Sequence, residues 1–240
     1  MEAVYQGAFG PIRVRDVLGV RRLYFGDMYQ GGLRLGAPYA WTAPAFGAFH
    51  LITALRRVPE QVLVIGLGAG EIPRSFWYAY PAIRIRVAEI DPVVVQVARQ
   101  HFELPDGDRL EVVVGDGVEV LRQSPELYDL IILDANDSGI GMPAQFRERG
   151  FVELAASRLQ SGGMLAANVL GPLVGPESGG LRTFEAEAAR LFPERYRLTS
   201  PGARPEQYQN VILFLGTGPQ IPVDQVPAPT GFQVVLPPVP

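Results

Sequence analysis

The chain contains no cysteine and no lysine. Without thiols it forms no disulfide, offers no thiolate nucleophile and builds no cysteine metal site. All 21 basic residues are arginine, which excludes Schiff-base chemistry and a P-loop lysine. Histidine is scarce as well. His50 and His101 stand in different segments without ligand spacing, so each reads as a partly buried or surface histidine and no metal site is expected. No apolar run approaches the roughly 18 residues of a membrane span. The opening MEAVYQGAFG lacks the basic-then-apolar signature of a signal peptide, so the expectation is a cytoplasmic protein with no membrane partner. A formal charge of −4 gives no electrostatic footprint for nucleic acid and suits a cationic small molecule better.

What is present is an ordinary globular balance, 48% apolar and 19% charged over 240 residues, enough for one full-sized α/β domain with a small appendage. Residues 1–43 read as a β-strand domain, 44–218 as a Rossmann-like domain and 219–240 as a proline-rich extended tail outside the core. In the first part, Ile12 to Val17 and Arg21 to Phe25 alternate and meet at Leu18-Gly19, a hairpin signal. Phe46, Phe49, Leu51, Ile52 and Leu55 recur at helical spacing, which predicts one helix from Pro44 to Arg57. Strand and helix patterns then alternate from Val62 onward, with a helix over Phe146 to Leu159 ended by Gly162-Gly163 and a closing antiparallel pair at Tyr196 to Thr199 and Asn210 to Leu215. That alternation predicts an α/β, doubly wound, mostly parallel sheet, with ligands at the carboxyl ends of its strands.

One unit organises the rest. Val62 to Ile65 is an unbroken apolar run, suited to a strand buried on both faces. Gly66, Gly68 and Gly70 follow at once and lead into a helix whose first N–H groups face any ligand held there. The next strand, Ile83 to Ile90, ends on Glu89 and Asp91, about 20 positions beyond the glycines, where nucleotide-type α/β folds grip a ribose diol. A structural βαβ unit without ligand is the bland alternative. Two further strand ends carry carboxylates. Asp116, between Gly115 and Gly117, reads as an acceptor for an adenine amino group or as a plain turn aspartate. Asp134 and Asp137 read either as cap and turn chemistry or as a pair suited to an amine, one holding an ammonium and the other taking a proton.

VLVIGLGAG, AEID, GDG and LDAND, in this order and spacing, resemble the spermidine synthase family of aminopropyltransferases, within the S-adenosylmethionine-dependent methyltransferase superfamily, and GDMYQG resembles the family's N-terminal domain. The resemblance implies a methyltransferase-type Rossmann-like fold with a small N-terminal β-hairpin domain. It implies donor binding by Gln30, Glu89, Asp116 and Gly117 beside the glycine loop, Asp134 as catalytic proton acceptor and Asp137 as a contact to the amine. Decarboxylated S-adenosylmethionine or S-adenosylmethionine is the implied co-substrate, a small-molecule amine the acceptor, and a homodimer through the N-terminal strands the assembly.

Departures from the family pattern bear on the donor. The loop carries Ala69 where the family has an aspartate that meets the amino group of the decarboxylated donor. The family's Tyr-Gln-Glu run appears as Ala48-Phe49-His50, and the tyrosine expected near Pro205 is absent, with Tyr208 close by. Aminopropyl transfer to a polyamine is therefore the first expectation and methyl transfer from intact S-adenosylmethionine its rival. A nicotinamide oxidoreductase would usually carry G-x-G-x-x-G, and here the third glycine comes one residue early. A non-catalytic nucleoside-binding protein remains the last alternative, because fold alone does not choose among these.

Overall fold

The apolar run that opens the α/β region is the centre of the molecule. In the computed structural model, which describes residues 1–136 and 141–237, strand β5 (Gln61–Ile65) is the inner strand of an eight-stranded sheet. Val62 and Val64 point into one apolar layer and Leu63 and Ile65 into the other, all four 2% exposed or less. The neighbouring β8 (Tyr128–Leu133) repeats the pattern, Leu130 and Ile132 to one side, Ile131 and Leu133 to the other. Each such side chain contributes about 1.5–3 kcal/mol by leaving water. A strand that is apolar at every position can only be satisfied between two covering layers.

Chain order places the other strands. β6 (Arg84–Glu89) and β7 (Leu110–Val114) extend the sheet in parallel on one side of β5; β8 and β9 (Leu159–Gly171) extend it in parallel on the other. The chain thus reverses its direction of winding between β5 and β8, and sheets of this kind take ligands at the carboxyl ends beside such a reversal. The pair β10 (Glu194–Thr199) and β11 (Gln209–Gly216) closes the sheet in antiparallel fashion. Helix α3 (Glu71–Ala79) follows β5 and α4 (Pro92–His101) follows β6. α5 (Gly117–Gln123) follows β7, and α8 (Gly179–Ala188) lies between β9 and β10.

In the first 34 residues, β1 (Glu2–Gly7), β2 (Gly10–Val17), β3 (Val20–Phe25) and β4 (Met28–Arg34) form a separate antiparallel sheet of consecutive hairpins. The two-residue turn between β2 and β3 holds Leu18 at φ +50° and Gly19 at +77°. This sheet is tied to the α/β part through Asp91, which caps α4 with Oδ1 on Val93 N–H (2.8 Å) and accepts the Ala8 N–H on Oδ2 (2.7 Å).

Three expectations need correction. The helix over Pro44 to Arg57 is instead α1 (Pro44–Ala48), a tight turn (Phe49–Leu51) and α2 (Ile52–Leu55), packed as small pieces over the sheet. The helix over Phe146 to Leu159 is two pieces, α6 (Ala144–Arg147) and α7 (Arg149–Ser157), because Glu148 is extended at φ −83°, ψ 152°. Gly162 and Gly163 lie past its end, in the irregular entry of β9. The tail is not outside the core: Val226 and Phe232 are buried, and β12 (Gln233–Val235) pairs with β10 as an edge strand. Among the described residues no helix is long and apolar enough to cross a membrane.

Candidate active site

The glycine loop is where the two sheets meet. Gly66 sits at φ +97°, and a Cβ there would fall onto the backbone carbonyl of Asp134, so only glycine lets β5 turn against the end of β8. Gly68, at φ +51°, leaves room for the Gln30 carbonyl of β4, which a Cβ would approach to 3.1 Å. Gly70 precedes the first turn of α3 in the left-handed region, beside Leu104. The loop is pinned from below by Glu89: its Oε2 accepts the Leu67 N–H at 2.9 Å and its Oε1 the Asp91 N–H at 2.9 Å. Burial pushes the Glu89 carboxyl above its ordinary range, partly offset by those backbone donors. Each carboxylate oxygen keeps capacity for a further donor.

Asp116 resolves as a cap as well as a strand-end acid. Its Oδ1 accepts from Val118 and Glu119 N–H, opening α5, and its Oδ2 accepts from Gln145 Nε2 at 2.8 Å. Gly117 packs directly on Ile65, so α5 lies close against β5. Asp134 follows β8, its N–H on the Ile65 carbonyl (2.9 Å). Its Oδ1 accepts a hydrogen from Asn168 Nδ2 at 2.9 Å, and removal from water pushes its carboxyl above the usual range. Gln30, Gly66, Gly68, Gly70, Glu89, Asp116, Gly117 and Asp134 therefore share one rim, linked contact by contact. Asp137 lies outside the described residues.

Two charged residues of α3 shape this corner: Glu71, next to the loop and on the sequence alone a substitute for its missing carboxylate, and Arg74, which nothing in the sequence singles out. Glu71, 3% exposed, accepts on Oε2 from the Gly32 N–H (2.8 Å) and Thr42 Oγ–H (2.8 Å), and on Oε1 from the Thr42 N–H. Arg74, wholly buried, donates to the carbonyls of Pro38 (2.8 Å), Ala69 (3.0 Å), Phe102 (2.8 Å) and Gly32 (2.6 Å). Together they staple β4 and the following loop to the glycine turn. Ala69 is buried, and the Phe46 ring lies beside it and Gly31. Of the Ala48-Phe49-His50 run, the first two are core. His50 stacks on Phe76 at 4.2 Å and bonds Ser75 and Tyr80. Tyr208 is on the surface. Among the described residues no group of three or more acidic or histidine side chains could hold a metal.

Residues 48–174 match the family model of the spermine/spermidine synthase domain. A polyamine aminopropyltransferase of Vibrio vulnificus (strain CMCP6) is 34% identical over 113 residues, covering 46% of this chain and 38% of that protein. An eEF1A lysine and N-terminal methyltransferase of Mus musculus is 32% identical over 125 residues, covering 48% of this chain and 18% of that protein. The matched segment thus spans well under half the length of these relatives. The solved structure of a probable spermidine synthase from Corynebacterium glutamicum ATCC 13032 superposes with a TM-score of 0.85 at 21% identity, covering 98% of this chain and 91% of that one, which establishes the shared fold. With more than half of its residues inside the family model and the glycine loop, acidic strand ends and N-terminal sheet in place, the chain belongs to the spermine/spermidine synthase domain family.

Proposed function

We propose that the chain transfers an alkyl group from an S-adenosyl sulfonium donor to a nitrogen nucleophile, with Asp134 as the proton acceptor. The observation that carries this reading is Asp134 itself, a half-buried carboxylate beside the glycine turn, at the carboxyl end of the strand where the winding reverses. An amine nucleophile needs its lone pair, and for a pKa near about 10.4 the deprotonation at pH 7 costs on the order of 4–5 kcal/mol. A carboxylate whose proton affinity is raised by burial narrows that gap. As the nitrogen bonds to the carbon on sulfur, the carbon–sulfur bond breaks with its electron pair neutralising the sulfonium, and the nitrogen's proton passes to Asp134. Glu89 suits the ribose hydroxyls, Gln30 and the loop 66–70 the donor's chain, and Asp116 with Gly117 the adenine edge. Asp137 completes the assignment as the second carboxylate toward the amine.

Aminopropyl transfer, the reaction named for the Vibrio relative, is one form of this chemistry, and methyl transfer, named for the mouse relative, is the other. Three features support methyl transfer from intact S-adenosylmethionine. The loop offers Ala69 where a carboxylate would hold an aminopropyl ammonium. Glu71, the nearest substitute, has both oxygens engaged by Thr42 and Gly32. Positions 48–50 bury two apolar side chains and half-bury a histidine whose burial keeps it neutral, a poor set of partners for a polyamine. The deciding experiment incubates the protein with each donor and a panel of polyamines and lysine-containing peptides, read by mass spectrometry. Addition of methyl groups is expected; aminopropyl products select the other form, and no product from either donor overturns the proposal. Asp134→Asn is expected to lower kcat by about 100-fold while donor affinity is kept.

A further inference from the structure

Asn168 stands in a strand segment that is otherwise apolar, LAANVL, and is 5% exposed. Strand register explains where it points its amide. β8 pairs with β9 through Leu133 and Ala167, so the next step along both strands sets Asp134 beside Asn168. On the far side β9 pairs with β11, bringing Asn210 within reach. The single amide nitrogen donates to Asp134 Oδ1 at 2.9 Å and to Asn210 Oδ1 at 3.1 Å. Both of its hydrogens are thereby used. Flipping the amide would set its carbonyl oxygen against two acceptor oxygens, so its orientation is fixed by chemistry. The opposite end, Asn168 Oδ1, is buried with no partner among the described residues. A polar row of this kind, crossing three strands between two apolar layers, costs stability that a leucine or alanine would not.

We infer that Asn168 is the positioning residue of Asp134. It holds Oδ1 by one hydrogen so that Oδ2 faces the nucleophile's proton, and Asn210 locks the amide against rotation. The inference rests on the proposed role of Asp134 for its catalytic consequence, though the coupling of the two side chains stands independently. The amide hydrogen is also what opposes the effect of burial on Asp134. Its loss makes the carboxylate both less well aimed and harder to keep ionised.

The test follows the Asp134 side-chain carboxyl by carbon-13 NMR through a pH titration, assigned with Asp134→Asn, in the wild type, Asn168→Ala and Asn168→Asp. Asn168→Ala is expected to raise the Asp134 titration midpoint by about 0.5–1 pH unit. The isosteric Asn168→Asp, which replaces the donor by a second carboxyl, raises it further and keeps the volume if the alanine variant fails to fold. With the donor that turns over, kcat falls by roughly 10–100-fold in both variants, the acidic limb of the pH profile moves upward, and donor Kd is unchanged. An unshifted Asp134 titration in folded variants overturns the inference. Absence of turnover in the wild type with either donor refutes the proposed function instead, and the titration still decides whether Asn168 governs Asp134.

Discussion

His50 supplies a stability switch whose size follows from its surroundings. The imidazole stacks on Phe76 with centroids 4.2 Å apart, lies 5.7 Å from Trp41, and is hydrogen-bonded through Nε2 to Ser75 Oγ (3.0 Å) and through Nδ1 to Tyr80 Oη (2.8 Å). Ser75 gives its own hydrogen to the Ile72 carbonyl, so Nε2 carries the proton and Nδ1 accepts from Tyr80. Burial pushes the imidazole from its ordinary 6.5 down to about 4. A histidine whose folded value lies below its unfolded one lends full stability above about pH 6.5. That contribution is lost as pH falls toward 4, because the unfolded chain takes up the proton first. Evaluated between pH 7 and pH 5, the two values give a loss of about 2 kcal/mol from this residue alone. Burial also raises the carboxyls of Glu71, Glu89 and Asp134, so the useful quantity is a difference. His50→Phe keeps the stacking volume and removes the titration. Urea unfolding of both proteins at several pH values should show wild type losing about 2 kcal/mol more than the variant over that interval. A stability difference that stays flat from pH 7 to 5 would refute the neutral, desolvated imidazole.

Three further outcomes can be checked. Ala69→Asp, placing a carboxylate in the glycine turn, is expected to shift the donor preference, measured by calorimetric binding of both compounds, toward decarboxylated S-adenosylmethionine by roughly 10-fold; unchanged preference would remove the loop from donor selection. Leu18→Asn, at a left-handed position that is 96% exposed, should raise stability by about 1 kcal/mol in urea melts, since asparagine before glycine suits this two-residue turn and the leucine packs on nothing. Arg74→Met leaves four backbone carbonyls and the Glu71 carboxylate uncompensated and is expected to cost on the order of 3–5 kcal/mol. A loss below 1 kcal/mol would show that the staple contributes little.

How much of this was legible depends on the range of the interactions involved. The doubly wound sheet could be read because its signals are local: apolar runs such as Val62 to Ile65 and Leu130 to Leu133, and glycine or proline at their ends. The positions of Glu89, Asp116 and Asp134 at strand ends could be read for the same reason, each being an acidic group that closes an apolar run. Asp91 and Glu89 looked equivalent in that pattern. Only the contact of Asp91 with Ala8, 83 positions away, shows that one is spent on holding the N-terminal sheet while the other pins the glycine loop. The broken helices escaped because periodicity at Phe46 to Leu55 survives a tight turn that changes the axis. β12 escaped because it has three residues and its partner β10 lies more than 30 positions earlier. Asn168 did leave a trace, a lone amide in an apolar strand.

The charges on α3 bear most directly on the choice of donor. A helix N-terminus carries a partial positive charge and unpaired N–H groups, and a first-turn glutamate normally offsets it. Here Glu71 is turned to Thr42 and Gly32, and Arg74 three residues on lies buried with it, so the two formal charges cancel within the staple that holds the N-terminal sheet. What the turn presents to the crevice is therefore backbone N–H and the helix dipole, with no carboxylate among residues 66–70. That environment favours an anion over a cation. An aminopropyl chain ends in an ammonium, whereas the methionine chain of intact S-adenosylmethionine ends in a carboxylate beside its amine. On the proposed reading, alanine at position 69 therefore suits the intact donor better than the decarboxylated one, and the Ala69→Asp binding comparison decides between them.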